Sequence, residues 1–207
     1  MYTINGIRAI LLIVFLVVSP LSGLAETGPM EQLRPTLSKL TKVLSDQGLK
    51  GNEHKIERRA KIMNSIKEGF DFREMSKRIL GSTWNSISAA DQDRFTELMT
   101  KLLENVYIGK LENYSGQTIG YVGERVKGDR AQVSTLIEDH NVQIPVHYIM
   151  AMDQGRWMVY DINIEGVSLV RNYMEQFKSI LRTQKFEGLV KVIEDKNKSF
   201  AEGKIQE

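Results

Sequence analysis

Hydrophobic residues in the first half of the chain recur every three or four positions, which is the spacing of amphipathic helices. The pattern predicts four helices, at 30–49, 52–69, 71–80 and 88–114. The stripes of the first two helices are Leu33, Leu37, Leu40 and Leu44, and then Ile56, Ala60, Met63 and Ile66. The stripe of the fourth helix is Phe95, Leu98, Met99, Leu102, Val106 and Leu111.

Residues with capping chemistry mark the ends of these helices. Pro35 is expected near the first turn of the first helix, and Asn52 is predicted to cap the second. Gly81 is expected to close the third helix. Ser88 with Asp91 resembles a capping box in which Asp replaces the usual Glu or Gln.

The hydrophobic period changes from helical to alternating after Gly116. Four alternating runs follow, separated by turn residues at 128–129, 140–141 and 153–155. Runs joined by such short turns pair as an antiparallel meander. In the third run Val142, Ile144, Val146, Tyr148, Met150 and Met152 share one face, and in the fourth Met158, Tyr160, Ile162 and Ile164 share a face opposite Trp157, Val159, Asp161 and Asn163.

Two more helices are predicted after the strands, at 167–184 and 186–200. Segregation of helices from strands along the chain is typical of an α+β domain. We therefore predict a four-stranded antiparallel sheet packed against about six helices. The chain shows no internal repeat or long linker, so residues 26–207 are predicted to form one domain.

The first 25 residues have the organisation of a secretory signal peptide. Arg8 precedes an apolar run at 9–18, and Gly23 and Ala25 place small residues before a cleavage site ahead of Glu26. The run is shorter than the roughly 20 residues that span a bilayer. An uncleaved membrane anchor is the alternative interpretation.

Composition and charge narrow the classes of function. The chain has no Cys, which excludes disulfides, thiolate metal sites and a lipoprotein signal. Its 28 basic and 26 acidic residues nearly balance, which argues against a global attraction to nucleic acid. Acidic residues interrupt the basic segments 57–61 and 127–130. We interpret these as a solvated helix face and a hairpin tip, with docking patches for a partner protein or lipid headgroups as the alternative.

The sequence offers little catalytic chemistry. His54, His140 and His147 lack both HxxxH spacing and the third convergent ligand that a catalytic zinc requires. Ser168 follows a glycine in a strand-to-helix turn, but Val170 stands where a nucleophile elbow has Gly, so Ser168 is interpreted as a helix cap.

Two carboxylates could serve acid–base catalysis, Asp161 and Glu165, and the sequence reveals a partner for neither. Tyr160 and Asp161 are adjacent on one strand and therefore point to opposite faces. We predict no catalytic residue, no metal site and no cofactor. What the chain offers instead is apolar surface on strands and helices, and a filled core and a core with a cavity both fit that pattern.

The segment 157–177 closely resembles the C-terminal signature of the MlaC family, also known for toluene-tolerance proteins. The signature W-x-V-Y-D, E-G-V-S-L-V, N-Y and Q-F is matched by Trp157, Val159, Tyr160, Asp161, 165–170, Asn172, Tyr173, Gln176 and Phe177. The family's central motif is matched by Phe70, Phe72, Met75, Leu80, Gly81 and Trp84, and 186–193 is similar to its closing helix. Met174 stands where many relatives have Arg.

This resemblance implies a cone-shaped α+β fold related to nuclear transport factor 2, with an apolar cavity between sheet and helices. It implies a monomeric periplasmic carrier of glycerophospholipid rather than an enzyme. The expected partners are an outer-membrane lipoprotein complex and the MCE-domain subunit of an inner-membrane ABC transporter. The alternatives are a carrier of hopanoid or another lipid, an isomerase or dehydratase that uses Asp161 or Glu165, and an adaptor that binds a protein.

Burial of the tails is the physical requirement for such a carrier. Two chains of roughly 16 carbons cost on the order of 25 kcal/mol in water, at about 0.8 kcal/mol per CH₂. Headgroup contacts cannot offset this, so the pocket must be apolar, and we expect no cage of Arg and Lys around the headgroup. The residues predicted to contact lipid are Phe70, Leu80, Trp84, Leu98, Leu102, Val106, Tyr121, Val133, Val146, Tyr148, Met150, Tyr160, Ile162, Val167 and Val170. Tryptophan at Val146 or Val167 is predicted to reduce lipid occupancy while leaving the fold intact.

Overall fold

The computed structural model of the chain describes residues 27–139 and 142–204. The predicted signal peptide, 1–25, and the predicted turn at 140–141 lie outside these residues. Across the part of the chain that is described, no helix is both long enough and apolar enough to cross a membrane.

Five α-helices account for the helical part of the described chain. They are α1 (Pro29–Ser45), α2 (Lys55–Lys67), α3 (Phe72–Leu80), α4 (Ala89–Glu112) and α5 (Leu169–Ala201). Short 3₁₀ turns occupy Gln47–Leu49, Asn52–His54 and Gly81–Ser86. The backbone of α5 breaks at Lys185, where φ is 62° and ψ is −168°. The two predicted C-terminal helices are therefore the two segments of α5.

The apolar stripes predict the buried faces of α1 and α4 but only part of that of α2. Leu33, Leu37 and Leu44 are buried in α1, as predicted. In α2 the second half of the predicted stripe is confirmed, because Met63 is buried and Ile66 is partly buried, but the first half is wrong, because Ile56 is 87% exposed and Ala60 is exposed. Arg58, Ile62 and Ser65 are buried without having been predicted. The buried face of α2 therefore includes a polar and a charged side chain, which hydrophobic spacing alone cannot identify.

Two of the four predicted ends of α1 to α4 are confirmed. Ser88 Oγ accepts a hydrogen bond from the Asp91 backbone N–H at 3.1 Å, which is half of the predicted capping box. Gly81 follows α3 with φ of 56°. Two predictions are wrong. Asn52 opens a 3₁₀ turn instead of capping α2, and Pro35 lies inside α1, which begins six residues earlier at Pro29.

The predicted antiparallel meander is confirmed and gains a short fifth strand. The strands are β1 (Thr118–Lys127), β2 (Arg130–Asp139), β3 (Val142–Asp153), β4 (Arg156–Ile164) and β5 (Val167–Ser168). They lie in the order β1-β2-β3-β4-β5, and every adjacent pair is antiparallel. The α+β class follows from this sheet and its helices.

The outer edge of β4 joins the sheet to the helices. At its C-terminal end β4 pairs with β5, whereas Val159 pairs with Phe70 in an isolated parallel bridge. In that bridge Asp71 N–H donates to the Val159 carbonyl and Val159 N–H donates to the Gly69 carbonyl, each at 2.8 Å. A side chain at position 69 would meet Thr36 at 2.5 Å, so only Gly lets α1 pack this closely.

Buried apolar residues form three clusters instead of one continuous core. The sheet cluster lies between the sheet and α1, and the helical cluster joins α3, α4 and α5. A third cluster, around Leu44, Ile62 and Ile108, joins α1, α2 and α4. Phe72 packs against both the sheet cluster and the helical cluster. The sheet and the α4–α5 layer are thus packed separately and linked at their margins.

Candidate functional site

The side of the sheet that faces α1 is mainly apolar, with Glu124 and Thr135 as exceptions, and its burial changes from one end of the strands to the other. Near the turns at 128–129 and 154–155 most of the apolar side chains are buried, although Val126 of β1 is 53% exposed. This region, which we call the closed half, consists of Ala131, Val133, Met150, Trp157 and Val159, covered by Leu33, Leu37 and Phe70. Val133 and Val159 have a relative exposure of 0%.

Towards the opposite end of the strands the same side of the sheet is only partly covered. We call this region the open half, and its residues are Ile119, Tyr121, Ile137, Ile144 and Ile162. The strand pairing aligns Ile119, Ile137 and Ile144 in one row across β1, β2 and β3. An exposed rim follows, formed by Val142 (58% exposed), Ile164 (40%) and Val167 (61%). The exposure of apolar side chains on this side of the sheet therefore increases from the open half to the rim.

Val146 and Tyr148 of β3 are buried between the two halves. Burial raises the pKa of the Tyr148 phenol well above its usual value, and the nearby Tyr121 adds to this effect. A hydrogen bond with Thr135 acts in the opposite direction on that pKa. Thr135 is itself buried and donates to the Val146 carbonyl at 3.2 Å. The middle of this apolar side is thus fixed by a small polar network.

A β-bulge changes the predicted assignment of faces in β4. Ile149 pairs with Asp161 but Met150 pairs with Val159, so Tyr160 is the extra residue. Beyond the bulge the alternation is reversed, which places Trp157 and Val159 in the closed half. The prediction that Tyr160 shares a face with the rest of the sheet interior is therefore wrong.

Tyr160 instead lies beside α3. The guanidinium carbon of Arg78 is 3.8 Å from the centre of the Tyr160 ring, and Arg78 Nη2 is 2.7 Å from Glu74 Oε1. This stacking arrangement is favourable for a cation over an aromatic face. It gives Tyr160 a role in attaching α3 to the sheet.

The structure divides the 15 residues predicted to contact lipid into groups. Val133 and Met150 lie in the closed half and Phe70 covers it, Val146 and Tyr148 lie between the halves, Tyr121 and Ile162 in the open half, Val167 on the rim and Tyr160 beside α3. Leu80, Trp84, Leu102 and Val170 are buried in the helical cluster, and Leu98 and Val106 are partly buried against it. Lipid contact by these residues stays a prediction.

Three residues of the open half were not among the predicted contacts, namely Ile119, Ile137 and Ile144. The alternation in β3 already placed Ile144 on the same face as Val146 and Tyr148. Ile119 and Ile137 could have been found by applying the same alternation to β1 and β2. Their partial exposure, however, depends on where α1 lies, and the sequence pattern does not specify that.

Asp161 fixes the junction between β4 and α5. Its carboxylate accepts hydrogen bonds from Ser168 Oγ at 2.6 Å and from the Val170 backbone N–H at 3.0 Å. Ser168 Oγ in turn accepts from Arg171 N–H at 3.0 Å, which confirms that Ser168 is a helix cap. The buried carboxylate that was considered for acid–base catalysis therefore caps a helix.

A groove lies at the end of the sheet that bears the closed half. Its volume is about 550 Å³, and it lies between α3, the following 3₁₀ turn and the hairpin ends of the strands. Its lining is mostly charged or polar: Asp71, Glu74, Lys77, Arg78, Gly81, Asn85, Asp129, Arg130, Ala151, Met152 and Asp153. It contains none of the predicted lipid contacts, so it is not the predicted apolar cavity.

The remaining candidate chemistry is sparse in 27–139 and 142–204. His147 Nδ1 lies 3.0 Å from Ser134 Oγ, which also accepts from Gln132 Nε2 at 3.2 Å. The His54 ring lies 3.9 Å from the Glu57 carboxylate and 4.0 Å from that of Glu53. Within these ranges no group of three or more His, Cys, Asp or Glu is arranged to hold a metal ion.

The fold and this site define an α+β domain that presents an apolar sheet surface next to a separately packed layer of helices. The model of the MlaC protein family matches residues 34–195. The chain belongs to the MlaC family, as the resemblance of 157–177 indicated.

Two known proteins illustrate the similarity. The intermembrane phospholipid transport system binding protein MlaC of Haemophilus influenzae is 27% identical over 180 residues, which cover 82% of this chain and 82% of that protein. The solved structure of a phospholipid-binding protein from Ralstonia solanacearum in complex with a phospholipid superimposes with a TM-score of 0.76. It is 23% identical, and the match covers 84% of this chain and 99% of that one. The structural likeness shows a shared fold.

Proposed function

We propose that this protein is a periplasmic phospholipid carrier that holds acyl chains against the open half of its sheet. The observation that carries the proposal is the change in burial along one apolar side of the sheet. Val133 is fully covered, whereas Ile137, four residues further along β2 on the same side, is partly exposed. Apolar residues that a protein leaves incompletely covered beside a second layer are suited to an apolar ligand.

The energetics favour tails at this position over the polar groove. Each methylene transferred from water to an apolar surface contributes about 0.8 kcal/mol. The open half and the rim present branched aliphatic side chains and one Tyr, whereas the groove presents carboxylates, ammonium groups and guanidinium groups. A tail in the groove would desolvate those charges and gain no pairing.

The separate packing of the two layers supports the same location. The sheet cluster and the helical cluster are joined by partly buried Phe72. Separation of the α4–α5 layer from the open half requires less loss of packing than opening one continuous core would. We therefore propose that the tails lie between the open half and the helical layer, near Leu98 and Val106.

The names of two similar proteins and the predicted signal peptide support a periplasmic location and a role in lipid transport. The Haemophilus influenzae relative is named as part of an intermembrane phospholipid transport system, and the Ralstonia solanacearum structure holds a phospholipid. Together with the predicted signal peptide, these names support a periplasmic location and exchange with membrane-bound partners. We propose an outer-membrane lipoprotein complex and the MCE-domain subunit of an ABC transporter as those partners.

The arrangement of the carboxylates favours a carrier over an enzyme. Asp161 is engaged by two donors at the start of α5. Glu165 lies in the exposed turn between β4 and β5, where φ is 51° and its N–H donates to the Pro145 carbonyl. We therefore propose that transport consists of binding and release without bond cleavage.

The test is lipid extraction from purified mature protein followed by mass spectrometry, together with uptake of fluorescent phospholipid from vesicles. We expect co-purified glycerophospholipid in the wild type. Ile144→Glu in the open half should abolish uptake. The matched control is Val126→Glu, an exposed Val of β1 near the hairpin end. Protein that carries no lipid after gentle purification and takes none from vesicles would rule the proposal out.

A further inference from the structure

Helix α5 breaks at Lys185, although its sequence contains no Pro that would force a break. The φ of 62° and ψ of −168° lie in a region of backbone space that is adopted almost only by Gly. Lys is a good helix former, so a continuous helix would be the less strained backbone at this position. A residue other than Gly keeps such a conformation only where contacts elsewhere in the fold impose it.

Gly188 accommodates the break. In a continuous helix the Cβ atoms of residues four positions apart are about 5–6 Å from each other. A Cβ added to Gly188 would instead lie 2.3 Å from the Cβ of Gln184, four residues earlier. The break therefore brings the start of the second segment of α5 against the end of the first. Position 188 requires Gly in the broken helix but not in a continuous one.

Hydrogen bonds attach the first segment of α5, 169–184, to the sheet. Asp161 of β4 accepts from Ser168 Oγ and from the Val170 N–H at the start of this segment. Ser168 also pairs with Asn163 of β4 through the short strand β5. The orientation of the first segment is therefore determined by the last part of β4.

Polar contacts attach the second segment, 186–201, to α4 instead. The buried Asn105 of α4 donates from Nδ2 to Asn197 Oδ1 at 3.1 Å. Arg94 of α4 lies 2.9 Å from a carboxylate oxygen of Glu194. Lys185 is thus the junction between a segment that is fixed to the sheet and a segment that is fixed to α4.

We propose that Lys185 is a hinge at which α5 changes between this broken form and a straighter form that lipid loading favours. The moving unit is α4 with 186–201, and it moves relative to the sheet and 169–184. Both segments also pack in the helical cluster, where non-directional apolar contacts can adjust to a change of angle. Because α4 carries Leu98 and Val106, the motion changes the width of the space between the open half and the helical layer. The coupling to lipid rests on the proposed function.

Distances between spin labels test the hinge directly. Because the chain has no Cys, engineered cysteines can be labelled specifically in the mature protein. Lys178→Cys with Lys191→Cys reports across the hinge, and both positions are exposed. Loading from phosphatidylglycerol vesicles should increase this distance by more than about 3 Å. The matched control is Lys101→Cys with Lys191→Cys, whose labels both lie in the moving unit and should keep their distance. An unchanged distance from 178 to 191 in lipid-loaded protein would overturn the proposal.

Substitution of Gly188 tests the hinge without lipid. Gly188→Ala introduces a clash with Gln184 in the broken form only. In lipid-free protein it should therefore shift the distance from 178 to 191 towards the value in loaded protein, and it should speed uptake severalfold. Adding Gln184→Gly removes the opposing Cβ and should restore the wild-type distance. If Gly188→Ala alone does not fold, rescue by Gln184→Gly supports the clash and failure of that rescue contradicts it.

Substitution of Lys185 should act in the opposite direction. Gly is unstrained at a φ of 62°, so Lys185→Gly should raise the melting temperature by a few degrees and slow lipid uptake severalfold, because the broken form becomes more stable. The matched control is Lys178→Gly in a regular part of the same helix, which should lower the melting temperature. Equal lowering by the two substitutions would contradict the strain at Lys185.

The two kinds of measurement separate failure of the hinge from failure of the proposed function. Wild-type protein that takes up no phosphatidylglycerol would overturn the proposed function and its coupling to the hinge. A shifted distance in lipid-free Gly188→Ala protein would even then show that α5 has two forms. Normal uptake by the wild type, with the same distances in all variants, would overturn the hinge and leave the proposed function intact.

Discussion

The two halves of the helix-facing side of the sheet have similar composition but differ in what covers them. The closed half is sealed by Leu33 and Leu37 of α1 and by Phe70. The open half consists of equally apolar residues, such as Ile137 and Ile144, that stay partly exposed. The difference therefore arises from the position of α1 and from the bridge at Phe70, not from the hydrophobicity of the strands.

The closed half is expected to contribute mainly to stability, and the open half mainly to ligand binding. Complete burial in a tightly packed region contributes most to the free energy of folding. Apolar residues with incomplete cover contribute less to folding and remain available to a ligand. A polar substitution in the closed half should therefore lower stability more than the equivalent substitution in the open half, which should mainly lower lipid content.

The largest expected effect is that of a buried charge in the closed half. Val133→Asp should cost more than about 4 kcal/mol of the free energy of unfolding, because the carboxylate would be buried without a partner. Ile137→Asp, on the same side of β2, should cost about 1–2 kcal/mol and remove lipid. Urea unfolding and lipid extraction measure both. Equal destabilisation by the two substitutions would contradict the division into halves.

Substitutions at the β4–α5 junction should have the second-largest effect on the free energy of unfolding. Asp161→Ala removes the acceptor of two hydrogen bonds and should lower the free energy of unfolding by about 2–4 kcal/mol. Ser168→Ala removes one cap and should cost about 1 kcal/mol. Thermal and urea unfolding of both variants tests this order. A neutral Asp161→Ala would show that the carboxylate does not secure the bulged strand.

Tryptophan substitutions test the region between the two halves, at Val146, and the exposed rim, at Val167. The sequence predicted that Val146→Trp leaves the fold intact, but Val146 is buried in the structure. Overpacking by Trp should therefore lower the free energy of unfolding by about 1–3 kcal/mol and also reduce lipid occupancy. Val167→Trp lies on the exposed rim and should change stability by less than about 0.5 kcal/mol while slowing lipid uptake. Stopped-flow uptake from vesicles and urea unfolding provide the measurements. Unchanged uptake in Val167→Trp would exclude the rim from the lipid path.

Alkaline pH should have the smallest effect, a gradual decrease in the free energy of unfolding. Because burial raises the pKa of Tyr148 above its usual value of about 10, the unfolded chain loses this proton first as the pH rises. The unfolded state then binds fewer protons than the folded state, so the free energy of unfolding falls by up to about 1.4 kcal/mol per pH unit. Tyr148→Phe should reduce this slope. Tyr121→Phe, in the less buried open half, should reduce it less when unfolding is measured from pH 9 to 11.

Elements with local signals could be predicted from the sequence. The alternation in β3 and the caps at Ser88 and Ser168 involve residues close in the chain, and all three are confirmed. The bulge at Tyr160 could not be predicted, because the residues on either side of it make contacts far away in the sequence or in other elements: Val159 pairs with Phe70, and Asp161 accepts from the start of α5. A period-two pattern contains no information about such long-range contacts.

The same reasoning explains the errors in α2 and in the site. Only the structure shows that Arg58 reaches the ends of α1 and α4, and this contact places Arg58, and not Ile56 or Ala60, on the buried face of the first part of α2. Of the open half, the sequence identified Tyr121 and Ile162 but not Ile119, Ile137 and Ile144, and it did not reveal the division of the sheet into covered and uncovered groups. That division depends on how helices from distant parts of the chain lie on the sheet.

The Phe70–Val159 bridge has a consequence for how the chain folds. Hairpins β1–β2 and β3–β4 join residues close in sequence and can form within microseconds. The bridge instead closes a loop of almost ninety residues, and the closed half is complete only after that closure. We expect the meander to form early and the seal by α1 and Phe70 to form late in refolding. A protein exported unfolded would then expose this whole apolar side, closed half included, until the bridge forms.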